Sequence, residues 1–98
     1  MEERWLPIPG YAGFYEASDL GEVFSMARTA AHGGLLSPQL TTSGYRQVTL
    51  CRYGRVTKIL VGRVVLLTFC GRPSRPGMRA RHGPGGPLDD SLANLWWG

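Results

Sequence analysis

The fold class that the sequence predicts is α+β, a small antiparallel β-sheet module followed by a short helix and a small C-terminal unit. Three observations predict it. The first 25 residues are dense in Gly, Pro and aromatics (Trp5, Pro7, Pro9, Gly10, Tyr11, Gly13, Phe14, Tyr15), with nothing repeating at helical spacing. From Tyr45 onward, apolar and polar residues alternate on either side of a Tyr53-Gly54 turn signal. Val61 to Phe69 is then an apolar run of helix length.

Taken in order, the N-terminal stretch predicts short strands around Tyr15-Glu16-Ala17 and Glu22-Val23-Phe24-Ser25, with Ser18 to Gly21 as the turn between them. Its aromatics would supply the core. Residues 26–34 read as a loop. Val48, Leu50 and Arg52 alternate with Gln47, Thr49 and Cys51, as a half-exposed strand requires, and Arg55 to Leu60 returns as its partner. That hairpin carries Arg46, Arg52, Arg55 and Lys58 near or on its polar face, and a basic two-stranded ribbon can enter a major groove or straddle phosphates. Apolar residues cover most faces of Val61 to Phe69, which predicts a short buried helix weakened by Gly62; a strand is the competing reading. Gly71 to Pro87 is rich in Gly, Pro and Arg, with Arg79 to His82 extended. The expected division is a β-rich module over residues 1–60 and a second module over 61–98, sharing a modest core.

Bulk properties narrow the function classes. A hydrophobic content of 43% excludes wholesale disorder. The longest apolar stretch, Val64 to Leu67, is far below the roughly 20 residues of a membrane span, and no apolar signal segment follows Met1. A cytoplasmic protein with no membrane partner is therefore expected. Cys51 and Cys70 read as two buried thiols in a reducing compartment, and with the distant His32 and His82 they lack zinc-site spacing. The charge layout says more. Residues 1–22 hold five acids and one arginine, whereas residues 23–88 hold ten basic side chains and no acid. Without carboxylates in that stretch, its cations are expected to face solvent or a polyanion. Nine of the ten are arginine, whose planar guanidinium suits phosphate and guanine.

The string Trp5-Leu6-Pro7-Ile8-Pro9-Gly10-Tyr11-Ala12-Gly13-Phe14-Tyr15, with Ser18 and Gly21-Glu22-Val23-Phe24-Ser25, resembles the NUMOD-type DNA-binding motif of phage-type HNH homing endonucleases. Ser43 to Leu50 looks like the family's next strand, and Val61 to Phe69 looks like its Val-His-Arg-Leu-Val helix. His82, Asn94-Leu95 and Trp97 match the spacing of the HNH segment. The resemblance covers most of the chain from Trp5 onward. It implies a partial ββα-metal (His-Me finger) module, double-stranded DNA as partner in a phage or bacterial host, and hydrolysis, with nicking, of a phosphodiester bond using Mg²⁺ or another divalent cation.

On that resemblance His82 is the general base that takes a proton from water, a role suited to a neutral imidazole. Asn94 takes the position whose amide holds the active-site turn. Arg46, Arg52, Arg55, Lys58, Arg63 and Arg81 are the candidate DNA contacts. The loop Gly83-Pro84-Gly85-Gly86 would let a phosphate backbone approach. Three departures stand against activity. Arg81 occupies a position where the family often places an Asp or Asn metal ligand, and a guanidinium cannot ligate Mg²⁺. Gly62 replaces the helix histidine. The sequence stops at Gly98, so the helix bearing the family's last ligand is expected to be missing. Asn94 and Asp90 remain weak metal candidates; Asp89 and Asp90 read more simply as turn and cap residues before Ser91. Two other functions stay open: a degenerate relative that binds DNA without cutting it, and a basic interaction protein.

Overall fold

The computed structural model describes residues 2–27 and 33–98. Most of the loop expected at 26–34, with Arg28 and His32, lies outside the described residues. The rest forms three antiparallel sheets around one helix.

The first sheet runs β1 (Trp5–Pro7), β2 (Tyr15–Ser18), β3 (Val23–Ser25) and β4 (Gly34–Leu35) in spatial order. Sequence patterning finds β2, β3 and the turn joining them. It misses β1 and β4, which are too short to alternate. Pro7 fits because β1 is an edge strand, where a missing N–H costs no ladder bond. Tyr15, Ala17, Val23 and Ser25 point inward, so this small sheet presents one closely packed face.

The second sheet comprises β5 (Gln39–Leu40), β6 (Arg46–Arg52) and β7 (Arg55–Leu60), the expected hairpin with one added edge strand. Its register pairs Val48 with Ile59, Leu50 with Thr57 and Arg52 with Arg55. Directly paired residues share a face, which corrects the expected polar face. Arg46 and Arg52 have the parity of buried Val48 and Leu50 and bracket them on the core side, and Arg55 stands on that side opposite Arg52. Lys58, opposite Thr49, lies on the outer side.

Helix α1 (Val61–Phe69) follows β7 without a loop, which settles the helix against the strand. Valine is a poor helix former, but Val61, Val64, Val65 and Leu66 are fully buried, and burial overrides intrinsic preference. The helix has no side-chain N-cap. It packs against β1 and β2 of the first sheet, β6 and β7 of the second, and the C-terminal hairpin β8 (Ala80–His82) and β9 (Leu95–Trp97). The core is accordingly one cluster running from Ile8 and Tyr15 through Val48, Leu50 and the helix to Leu95. The Tyr15 hydroxyl accepts a hydrogen bond from the Cys51 amide (2.9 Å), tying the first sheet to the second.

The expectation of buried thiols fails. Both cysteines are free and exposed rather than buried: Cys51 has the outward parity of β6, and Cys70 follows the last turn of α1. No helix among the described residues is long and apolar enough to cross a membrane.

Candidate active site

The C-terminal hairpin pairs Ala80 with Trp97, Arg81 with Trp96 and His82 with Leu95. The Gly83 amide extends this ladder to the Asn94 carbonyl (2.9 Å). Between the strands the chain makes a compact loop, closed by a 3₁₀ turn at Leu92–Asn94. Asn94 is buried at its centre. Its Oδ1 accepts from the Gly85 amide (3.0 Å), while its Nδ2 donates to the carbonyls of Asp89 (2.9 Å) and Gly86 (3.2 Å). The glycines follow from this wrapping. A Cβ on Gly83 would stand 2.8 Å from Asn94 Oδ1, and one on Gly85 would collide with the Asp89 carboxylate. The bare loop is explained by its fit around Asn94, before any phosphate is considered.

Asp89 and Asp90 behave differently. Asp89 is a turn residue: its Oδ1 accepts from the Ser91 hydroxyl (2.6 Å) and amide (3.1 Å), and these bonds hold its carboxyl below the usual aspartate range. Asp90 is neither turn nor cap. At 2% exposure it is buried, with Oδ1 2.7 Å from His82 Nε2 and Oδ2 3.3 Å from an Arg46 guanidinium nitrogen. Arg46 also donates to the Gly21 carbonyl (3.3 Å). The expectation that every cation of residues 23–88 faces outward therefore fails at Arg46, because a carboxylate 44 residues later in the chain folds onto it.

His82 is itself only 10% exposed in its side chain. With Nε2 donating to the Asp90 carboxylate, the neutral ring keeps its lone pair on Nδ1. Tyr45 flanks the ring at 5.3 Å between centroids. Gly62 of α1 lies beneath it: a Cβ there would come within 3.0 Å of Asp90 Oδ1 and 3.3 Å of His82 Nε2. The departure at position 62 thus coincides with the place where the histidine–aspartate pair sits on the helix. The backbone approaches as closely at Gly21, where a Cβ would stand 2.8 Å from the Asp90 carbonyl.

Tyr45, Gly62, His82 and Asp90 line a cleft of about 530 Å³. Arg46, Arg63, Arg79 and Arg81 line it together with His82 and Trp96. Arg63 stacks over the Trp97 ring (5.4 Å), and Arg81 Nε donates to the Gly98 carbonyl (3.2 Å). Of the six cations singled out from sequence, the structure gathers Arg46, Arg63 and Arg81 here; Arg52, Arg55 and Lys58 do not line the cleft. Sequence reasoning missed Arg79 and gave Tyr45 no place in a site, and it read Asp90 as a turn or cap residue with a weak claim as a metal ligand. The two-residue step from Arg79 to Arg81 along an extended segment was the available signal for Arg79.

A divalent ion does not fit the side chains present. Among the described residues no three His, Cys, Asp or Glu side chains gather as a ligand set. Both Asp90 oxygens and the whole Asn94 amide are engaged within the protein.

The NUMOD4 motif matches residues 3–51, half of the chain. The chain belongs to the NUMOD4 family. It is 31% identical over 94 residues to DNA endonuclease I-HmuI of Bacillus phage SP01, matching 96% of this chain and 51% of that protein. A solved structure whose title is DNA binding and cleavage by the HNH homing endonuclease I-HmuI superimposes with a TM-score of 0.84 at 30% identity, over 97% of this chain and 52% of that one. This NUMOD4 chain therefore spans about half the length of the relative it matches. The resemblance read from Trp5 to Ser25, the α+β layout and the kinship to HNH homing endonucleases are borne out. The NUMOD4 segment supplies Tyr45 and Arg46 to the cleft, and the segment beyond it supplies His82, Asp90 and the remaining arginines.

Proposed function

We propose that this chain binds double-stranded DNA with a phosphodiester lying in the arginine-lined cleft, and that His82 acts there as the general base of a hydrolytic nicking reaction. The observation that carries the reading is the juxtaposition itself. An imidazole, fixed through Nε2 by a buried carboxylate, shares one cleft with Arg63, Arg79 and Arg81.

The chemistry follows from those atoms. His82 Nδ1 takes a proton from a water molecule as the water oxygen attacks phosphorus. The bond from phosphorus to the leaving sugar oxygen breaks, and that oxygen collects a proton from solvent. Guanidinium groups neutralise charge on the non-bridging oxygens. Asp90 keeps the ring in one tautomer and orientation, and Asn94 holds the loop that follows His82.

A second reading, DNA binding without cleavage, is favoured by one specific observation: the position before the histidine is Arg81, and among the described residues no three His, Cys, Asp or Glu side chains gather as a ligand set. Supercoiled plasmid separates the two. Wild-type chain, His82→Ala chain and a chelator control are incubated with and without Mg²⁺ or Mn²⁺. Conversion to open circle that falls by about 10²–10⁴-fold in His82→Ala, with DNA affinity kept within twofold, supports the catalytic reading. Binding without open circle under every condition sinks it and leaves the second. Dependence on added ion tests whether a divalent cation enters at all.

A further inference from the structure

The side chains around His82 are poorly suited to a divalent cation and well suited to an anion. Strand β8, with its neighbours Arg79 and Gly83, lines one wall of the cleft. Arg79 and Arg81 are two residues apart and so project from the same side of that wall. Arg63 reaches the cleft from α1. All three are exposed, and none has a side-chain carboxylate partner among the described residues. Among the described residues that line the cleft, Asp90 is the one acid. Its two oxygens are committed to His82 and Arg46, and the Arg46 charge cancels its own. Three guanidinium charges are left over, beside a ring that is neutral when it acts as a base.

That surplus charge selects the ligand. A dication entering this space is repelled by the guanidinium groups and meets no free carboxylate to replace its water shell. A phosphodiester is attracted instead, and each guanidinium offers paired N–H donors to its non-bridging oxygens. Two of the three are held by neighbours. Arg63 lies over the Trp97 ring (5.4 Å), and Arg81 Nε is bonded to the Gly98 carbonyl (3.2 Å), which orients its fork.

We propose that Arg63, Arg79 and Arg81 fill the role of a divalent cation in this cleft, so that the chain cuts a phosphodiester bond without a metal ion. This inference rests on the reading of His82 as general base, and the bonds made and broken are the same. Water oxygen bonds to phosphorus, its proton passes to His82 Nδ1, and the bond from phosphorus to the sugar oxygen breaks. The guanidinium groups exchange no proton, since they stay charged throughout. They hold the phosphate in line with the water and neutralise the charge that grows on its oxygens as the water attacks. The leaving oxygen takes its proton from solvent.

The test is nicking of supercoiled plasmid by the whole chain, dialysed against EDTA and used at saturating concentration. Rates are read in EDTA and in Mg²⁺ at matched ionic strength. The rate constant in EDTA is expected to lie within about threefold of that in Mg²⁺, and His82→Ala is expected to lower both alike. Arg79→Gln and Arg81→Gln are each expected to lower the rate constant in EDTA by about 10²-fold. Their melting temperatures are expected to stay within about 3 °C of wild type, because both side chains are exposed. Nicking that requires added ion and is lost in EDTA overturns this inference and leaves His82 standing as the base. Nicking in EDTA that both glutamine variants retain within about threefold overturns it as well. A chain that binds duplex and nicks it under neither condition overturns both readings.

Discussion

The two ends of β6 hold the same residue type on the same face of the same strand, in opposite electrostatic settings. At one end Arg46 is drawn inward, ion-paired with buried Asp90 and bonded to the Gly21 carbonyl. At the other, Arg52 has no carboxylate partner among the described residues and lies against two tyrosine rings. An arginine flanking an apolar pair on a strand can become part of the core's polar lining or remain a free cation. Which of these happens is decided by what folds against it. The difference teaches that a map of basic residues overstates the charge available to a partner, since one arginine of the map is neutralised from within.

The largest effect expected from this contrast is at Asp90. Asp90→Ala leaves a largely buried guanidinium and an imidazole without their shared acceptor, and a loss of about 3 kcal/mol in unfolding free energy is expected from urea melts. A loss under about 1 kcal/mol would mean that the Arg46 end is no more structural than the Arg52 end. Next comes Arg52→Ala, which removes a guanidinium stacked on rings rather than paired. The same melts are expected to show a loss of about 1 kcal/mol, and a value near that of Asp90→Ala would erase the contrast.

The smallest effect concerns the acids beside Arg46. Glu3 Oε2 is screened from water, and the Glu22 carboxyl next to it is pushed up, chiefly by its side-chain interaction with the Glu3 carboxyl, an effect only partly offset by the Arg46 charge. A folded-state value raised above the unfolded one means that the folded chain holds this proton more tightly. Its stabilising share is full in acid and lost as pH rises through the raised value. Glu22→Gln supplies a permanent donor, so its melting temperature is expected to match wild type in acid and exceed it by roughly 1–3 °C at neutral pH. An equal difference at both pH values would show that Arg46, rather than the shared proton, governs the pair.

Much of the fold was legible, and the reasons are local. Val48 and Leu50 alternate with polar neighbours, Tyr53-Gly54 marks a turn, and Val61 to Phe69 has the length and continuity of a buried helix. The strands at Trp5, Gly34 and Gln39 were not legible, because two or three residues carry no period and exist only through their partners. In the candidate site, His82 and Asn94 were reached through the family string. Asp90 was named only as a weak metal candidate, and its pairing with His82 and Arg46 was not legible, since those contacts lie eight and 44 residues away and leave no local signature. The inward turn of Arg46 and Arg52 was readable all along: their even numbers match Val48 and Leu50.

The single apolar nucleus has a consequence for how such a chain can be rearranged. Val48 and Leu50 of the second sheet, and Tyr15 and Ala17 of the first, are sealed by α1, which begins at Val61. A recombination joint placed at residue 60 would leave the upstream piece with an unroofed greasy floor and the downstream piece with a lid and nothing to close. Exchange between relatives is therefore better tolerated outside the stretch from Ile8 to Leu95 that shares this core than through its middle.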